Sequence, residues 1–151
     1  MEKTTGSNYK EQLNQKGTIA IVPGGNSMWP TLKHHGQAVI IRQKAERLKK
    51  YDVALFTRPD GKYVLHRVLE VLDDGYVFCG DSLLYTEKVL EEQVFGVMCG
   101  FYDKQNYVEV DDKNYIKKVE KWYRRKKLRY IRLKFFYLTN KIKRIFNRKG
   151  K

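Results

Sequence analysis

The chain has 151 residues and carries 31 Lys or Arg against 17 Asp or Glu, a net charge of +14. This length favours one compact domain with an appendage. With 42% hydrophobic and 13% aromatic residues the chain can build a core, which excludes a wholly disordered protein and a disulfide-stapled miniprotein.

Short β-branched and aromatic runs, separated by Gly, Pro and Asp turns, predict a mainly β body over residues 18–112. The preceding residues 1–17 are polar, and we expect a flexible lead-in there. Asp60-Gly61 predicts a tight hairpin turn between the third and fourth strands. This pattern is typical of a small, coiled, largely antiparallel β structure. The predicted strands are 18–22, 37–42, 53–56, 62–71, 76–79, 94–102 and 107–110.

The positive charge is concentrated at the end of the chain. Residues 1–112 carry 14 Lys or Arg and 16 Asp or Glu, a net of −2, whereas residues 113–151 carry 17 Lys or Arg and one acid, a net of +16. From Asn114 onward the apolar residues follow a helical period, which predicts a basic amphipathic helical tail over 113–151. The tail either packs back on the body or binds an anionic surface, and its charge favours surface binding.

No run of about 18 apolar residues occurs, and the first residues lack the build of a secretory signal. We therefore expect a cytoplasmic protein that is peripheral on the inner membrane face, held to anionic lipid by its tail. Nucleic acid is a less favoured partner of the tail. If the tail serves only location, removing residues 113–151 should leave the activity of the body intact.

The segment that carries chemistry is Gly24 to Leu32, GGNSMWPTL, which lies between two predicted strands. Two glycines free the backbone before Ser27, and Pro30 fixes the exit, as a nucleophile exposed at the edge of a sheet requires. Spacing alone favours the more common turn serine that caps backbone amides over a nucleophile.

Ser27-Met28-x-Pro30-Thr31-Leu32 resembles the serine box of the signal peptidase I family and, more distantly, of the self-cleaving repressors. Three further segments resemble that family's boxes, in the family's order. The resemblance spans roughly residues 18–100 and implies a β-barrel-like catalytic core of the signal-peptidase and repressor type. The three segments are Tyr51–Phe56, Leu65–Val68 and Gly80–Ser82.

At the place where bacterial signal peptidases carry a lysine base, this chain has His66, as in the endoplasmic-reticulum-type branch. An imidazole with a pKa of about 6.5 is largely neutral at neutral pH, whereas a lysine such as Lys62 must first be desolvated. We therefore predict a Ser27–His66 dyad and an acidic limb near pH 6.5. The resemblance implies an orienting acid, with Glu87 favoured and Asp81 as a structural neighbour or the alternative.

The oxyanion hole is expected to include the Ser27 amide. Many family members add a serine hydroxyl two residues before the nucleophile, where this chain has Gly25, so we expect the Asn26 side chain or a nearby amide to substitute. Ser82 in place of the usual Asn is a second departure, and we expect the lack of a membrane anchor to be a third. The adjacent residues His34 and His35 receive no role because they make a poor metal pair.

These features predict a serine endopeptidase that cleaves a peptide or precursor leader through an acyl-enzyme. The resemblance implies an extended substrate held against an exposed strand, with small side chains just before the cut. Neither a cofactor nor a metal is expected. The alternatives are a self-cleaving repressor-like regulatory protein that binds nucleic acid, and an inactive membrane-surface binding module.

Overall fold

A computed structural model describes residues 8–33 and 37–149, without the side chains of residues 144–149. His34 and His35 lie outside the described residues. Eight strands and three helices occur within these ranges, and a 3-10 turn, Glu91–Gln93, precedes the seventh strand. In chain order the helices and strands are α1 (Tyr9–Lys16), β1 (Thr18–Ile21), β2 (Val39–Gln43), β3 (Val53–Thr57), β4 (Tyr63–Leu72), β5 (Gly75–Cys79), β6 (Glu87–Leu90), β7 (Val94–Asp103), β8 (Asn106–Glu109), α2 (Lys113–Arg124) and α3 (Lys126–Lys149).

The eight strands form one antiparallel sheet in the order β1-β2-β7-β3-β4-β5-β6, with β8 paired to β7. The predicted mainly β, antiparallel architecture is therefore confirmed, and so is the hairpin, in which Thr57 pairs with Tyr63. The sheet is not closed into a barrel, because β1 and β6 stand at its two ends. The barrel-like closure implied by the resemblance is wrong in this respect. Register shifts on β2, β3 and β4 bend the open sheet instead.

Apolar side chains lie on both faces of the central strand β3. Val53 and Leu55 belong to one buried cluster, whereas Ala54 and Phe56 belong to a second. Since successive side chains of a strand point to opposite faces, the sheet carries a core on each side of β3. The first cluster also takes in residues of α1 and α2, so both helices pack on that face.

Residues 9–16 form a helix, which differs from the flexible lead-in expected there. Asn8 caps the helix by accepting a hydrogen bond from the Glu11 amide at 3.2 Å, and Gly17 ends it with a φ of 70°. Leu13 is fully buried in the first cluster. Tyr9 also packs against this cluster, with its ring centroid 5.1 Å from that of Tyr63. These two tertiary contacts stabilise the helix, and a mostly polar sequence pattern does not reveal them.

The basic tail is helical as predicted, but it packs back on the body. Tyr115 and Val119 of α2 are buried in the first core cluster, and Leu133 of α3 is fully buried. Deleting residues 113–151 would therefore expose part of the core. Activity is for this reason not expected to survive the truncation, contrary to the expectation from the sequence. None of the helices in the described part of the chain is long and apolar enough to cross a membrane.

Candidate active site

Ser27 lies in a short turn between β1 and β2 and is partly exposed. The turn enters through Gly25, whose φ of 78° is a left-handed conformation that favours glycine. Buried Met28 follows the serine directly and anchors the turn in the first core cluster. Within the turn, the Trp29 amide donates to the Asn26 carbonyl at 3.0 Å. The serine is thus presented by a turn that is tied to the core.

The loop after β5 holds the serine turn from the other side. The Ser82 amide donates to the Ser27 carbonyl at 2.9 Å, and the Ser82 hydroxyl donates to the Asn26 carbonyl at 2.8 Å. The backbone and the side chain of Ser82 therefore both bind the turn that presents Ser27. The first and last of the four sequence boxes therefore meet in space.

Gly80 allows this close approach. A Cβ atom at position 80 would lie 2.7 Å from the Ser27 carbonyl oxygen and 2.8 Å from a Leu83 methyl carbon, too close for either contact. We predict that Gly80→Ala lowers the free energy of unfolding by about 1–3 kcal/mol, because the serine turn must move to admit the methyl group. Urea denaturation checks this, with Gly24→Ala as the stability control because position 24 has open space. Equal losses in the two variants would contradict the prediction.

His66 on β4 and Glu87 on β6 form a hydrogen-bonded pair. His66 Nδ1 lies 2.8 Å from Glu87 Oε1, and His66 is only 3% exposed. Because a carboxylate can only accept, Nδ1 carries the proton and Nε2 is the basic nitrogen. Arg58 binds Glu87 through Nε and Nη2, each at 2.7 Å. The three side chains form a continuous Arg58–Glu87–His66 chain.

These contacts and burial set the protonation of the pair. Burial lowers the pKa of His66, and the hydrogen bond and charge of Glu87 oppose that shift without cancelling it. Burial by itself would raise the pKa of Glu87, but the hydrogen bonds from Arg58 and His66 outweigh it and lower that pKa. His66 is therefore neutral and Glu87 ionised at neutral pH, the states in which a histidine can act as a base.

Ser27 and His66 line the same cavity, which has a volume of about 430 Å³. Its walls include residues 21–25, which lead from β1 to the serine, and residues 63–66 of β4. Lys62 also lies at this cavity, but its side chain is 74% exposed and pairs with Asp60 at 2.8 Å. Lys62 is exposed and ion-paired and lacks the burial that a lysine base requires, so the environment favours His66 over Lys62 as a base.

The Asp81 carboxylate pairs with Arg67, whereas the hydrogen-bond partner of His66 is Glu87. Arg67 Nε and Nη2 donate to the two carboxylate oxygens at 2.8 and 2.7 Å, and both side chains are completely buried. The Thr31 hydroxyl and the Tyr123 hydroxyl also donate to this carboxylate. Burial would raise the pKa of Asp81, but the charge and hydrogen bonds of Arg67 lower it. Of the two acids, Glu87 is the one that is hydrogen-bonded to His66, and Asp81 forms a buried ion pair with Arg67.

Several residues at the site carry no signal in the sequence. Arg58 is 29 positions from Glu87 along the chain, so no local spacing links the two. Trp122 of the tail donates to the Asp81 carbonyl at 3.0 Å, which joins α2 to the loop beneath the serine turn. The hairpin prediction places Arg58 in the turn after β3, but nothing in the sequence identifies Glu87 as its partner.

Within residues 8–33 and 37–149, no cluster of three or more His, Cys, Asp or Glu side chains could hold a metal ion.

No protein-family model matches the chain, and no curated protein matches it. The geometry of Ser27, His66 and Glu87 is therefore the basis for a function.

Proposed function

We propose that the chain is a serine endopeptidase with a coiled β core of the signal peptidase type, in which Ser27 is the nucleophile and His66 the general base. The observation that carries this proposal is the buried, neutral His66 bound through Nδ1 to an ionised Glu87, with Ser27 lining the same cavity. This arrangement supplies a hydroxyl, a base and an orienting carboxylate, three of the groups that acyl transfer uses.

In the proposed reaction, His66 Nε2 takes the proton of the Ser27 hydroxyl as the oxygen attacks the substrate carbonyl carbon. The tetrahedral oxyanion is stabilised by the Ser27 amide together with Asn26 or a nearby backbone amide. His66 then returns the proton to the leaving amine, and the peptide C–N bond breaks to leave an acyl-enzyme. Water, deprotonated by the same imidazole, hydrolyses the ester and releases Ser27.

Glu87 and Arg58 are positioning residues in this mechanism. Glu87 holds the tautomer in which Nε2 is free to accept a proton, and it stabilises the imidazolium that forms during the reaction. Arg58 donates to both oxygens of Glu87 in a bidentate contact, which is the strong form of an arginine–carboxylate pair. This contact keeps the Glu87 carboxylate ionised.

The cavity suits an extended peptide substrate. Among the described strands, β1 has a neighbour on one side only, and residues 63–66 of β4 lie beyond the part of β4 that pairs with β5. Both backbone segments reach the cavity and can accept an additional strand by main-chain hydrogen bonds. Small side chains just before the cut, as in the signal peptidase family, are the expected specificity.

Reaction with a fluorophosphonate probe tests this function most directly. Labelling of the folded protein at Ser27, lost in Ser27→Ala, supports the peptidase, and mass spectrometry of candidate precursor peptides then locates the cut. A protein that is never labelled and cleaves none of these peptides would instead favour the inactive binding module.

The pH dependence of turnover follows from the His66–Glu87 pair. Activity requires neutral His66, so it is lost as the pH falls through the pKa of His66, and burial places that limb below the ordinary value of about 6.5. Glu87→Gln removes a charge that raises this pKa, so the limb should shift to still lower pH while turnover drops. A pH–rate profile of both proteins checks this. A limb near pH 9, or one that Glu87→Gln shifts upward, would contradict His66 as the base.

A further inference from the structure

Helix α3 packs on the body through one face. Leu133 is fully buried, and the Phe136 ring stacks on Trp29 with a centroid distance of 4.4 Å. The Tyr137 hydroxyl donates to the Ser82 carbonyl at 2.8 Å, and Arg129 donates to the Leu83 carbonyl. This inner face is therefore held by the serine turn and by the loop after β5.

The opposite face of α3 carries a second row of large apolar side chains, all exposed. Their spacing of three and four residues places them in one stripe along the helix, about half a turn from Leu133 at 100° per residue. Phe135 is 68% exposed, Ile131 62% and Leu138 54%. We call this row the outer stripe; its members are Leu128, Ile131, Phe135, Leu138 and Ile142. The apolar residues of α3 therefore lie on two faces, one packed on the body and one exposed to solvent.

Basic residues flank the outer stripe on both sides. Lys127, Lys134 and Lys141 follow one edge at seven-residue intervals, and Arg132 and Lys143 follow the other. Helix α3 contains ten Lys or Arg and no Asp or Glu. An apolar strip bordered by cations is the arrangement of a helix that lies in the interface of a membrane, with its apolar side chains among the acyl chains and its charges at the headgroups.

We propose that the outer stripe of α3 is the docking surface of this protein for an anionic lipid bilayer. The contacts of the inner face keep α3 attached to the body, so the protein binds as one unit, with α3 between the body and the lipid. The proposal rests on the exposed faces of α3 and is independent of the peptidase function.

Charge distinguishes lipid from a second copy of the chain. The three-four spacing of the outer stripe would also suit a coiled-coil seam. In such a dimer Lys127, Lys134 and Lys141 of one helix would lie near Lys or Arg of the other in either orientation, which repels. A nucleic acid would satisfy the charges but would leave the aliphatic side chains of the stripe in water. An anionic bilayer satisfies both features together.

The experiment is sedimentation of the full chain with vesicles of equal parts phosphatidylcholine and phosphatidylglycerol, and with pure phosphatidylcholine vesicles. We expect binding to the anionic vesicles, and a fall of roughly tenfold or more in the partition coefficient for the double variant Phe135→Ser and Leu138→Ser. Both positions are exposed, so the fold should survive, which circular dichroism checks. Raising the salt concentration should weaken the binding but leave an apolar part.

A pair of charge variants isolates the flanking lysines. Changing Lys127, Lys134 and Lys141 to Gln should reduce binding by about fivefold per side chain. The matched control changes the exposed residues Lys10, Lys16 and Lys49 to Gln, which lowers the net charge equally but away from α3, and it should bind nearly as the parent does. Ser27→Ala should also bind as the parent, so failure of the peptidase proposal would leave this result unaffected.

Three outcomes would overturn the proposal. One is equal sedimentation of the parent and the double serine variant, and another is equal loss in the two lysine variants. The third is no binding to anionic vesicles. In that case the chain would instead form a dimer in light scattering that the serine substitutions dissociate, or it would bind a DNA or RNA duplex.

Discussion

Ser27→Ala is expected to reduce peptide hydrolysis by at least about 10⁴-fold, because no other group on the serine turn can form the acyl-enzyme. The free energy of unfolding should hardly change. The Ser27 side chain is partly exposed in a turn, and the turn is held by the backbone carbonyls of Asn26 and Ser27, which the substitution retains. Turnover on a cleaved peptide and urea denaturation measure the two effects.

Thr139→Ala is a matched control for this variant, since it also removes one hydroxyl. Thr139 lies on α3, and its hydroxyl donates only within the helix, to the Phe136 carbonyl. It should leave turnover unchanged. Full cleavage by a pure, folded Ser27→Ala protein would contradict the proposed mechanism.

Arg67→Met is expected to cost about 3–5 kcal/mol of stability, the usual loss when one partner of a buried ion pair is removed. Arg67 and Asp81 are both completely buried, and the methionine cannot replace the two hydrogen bonds to the carboxylate. The variant also removes donors to the Tyr51 carbonyl and the Tyr115 hydroxyl. The loss should therefore loosen α2 as well as the loop that holds the serine turn.

Urea denaturation of three variants tests this reasoning. Without Arg67, burial raises the pKa of Asp81, so the deficit should grow as the pH rises above about 4, where the unfolded carboxyl ionises. Arg67→Met with Asp81→Leu should recover part of the loss, because no unpaired charge then remains buried. Lys88→Met breaks a solvent-exposed ion pair with Asp74 and should cause no measurable change. Equal effects of Arg67→Met and Lys88→Met would contradict the role of the buried pair.

Much of the fold was predictable from local patterns. The seven predicted strands all occur, with ends within about two residues of those expected, because β-branched runs and Gly or Asp turns act locally. Strand β6 was missed because only Val89 of its four residues is buried, so the short segment has little hydrophobic pattern. Helix α1 was missed for the same reason, since Leu13 is its only buried residue.

The candidate site was predictable in part. The resemblance of their boxes to those of a peptidase family predicts Ser27 and His66, and the structure brings both to one cavity. The choice between Glu87 and Asp81 needed the structure. Glu87 reaches His66 only because β6 pairs with β5, whereas Asp81 is enclosed with Arg67.

The sequence alone determined where seven of the eight described strands lie, that the tail is helical and basic, and, through a family resemblance, which serine and histidine are the candidates for chemistry. The strands and the tail depend on residues close together in the chain, so period and composition are enough for them, whereas the two site residues needed the resemblance. Only the tertiary structure decided that the sheet stays open, that Arg58 supports Glu87, and which face of α3 is buried. Each of these depends on contacts between distant segments, where packing and burial select one arrangement among several that the local pattern allows.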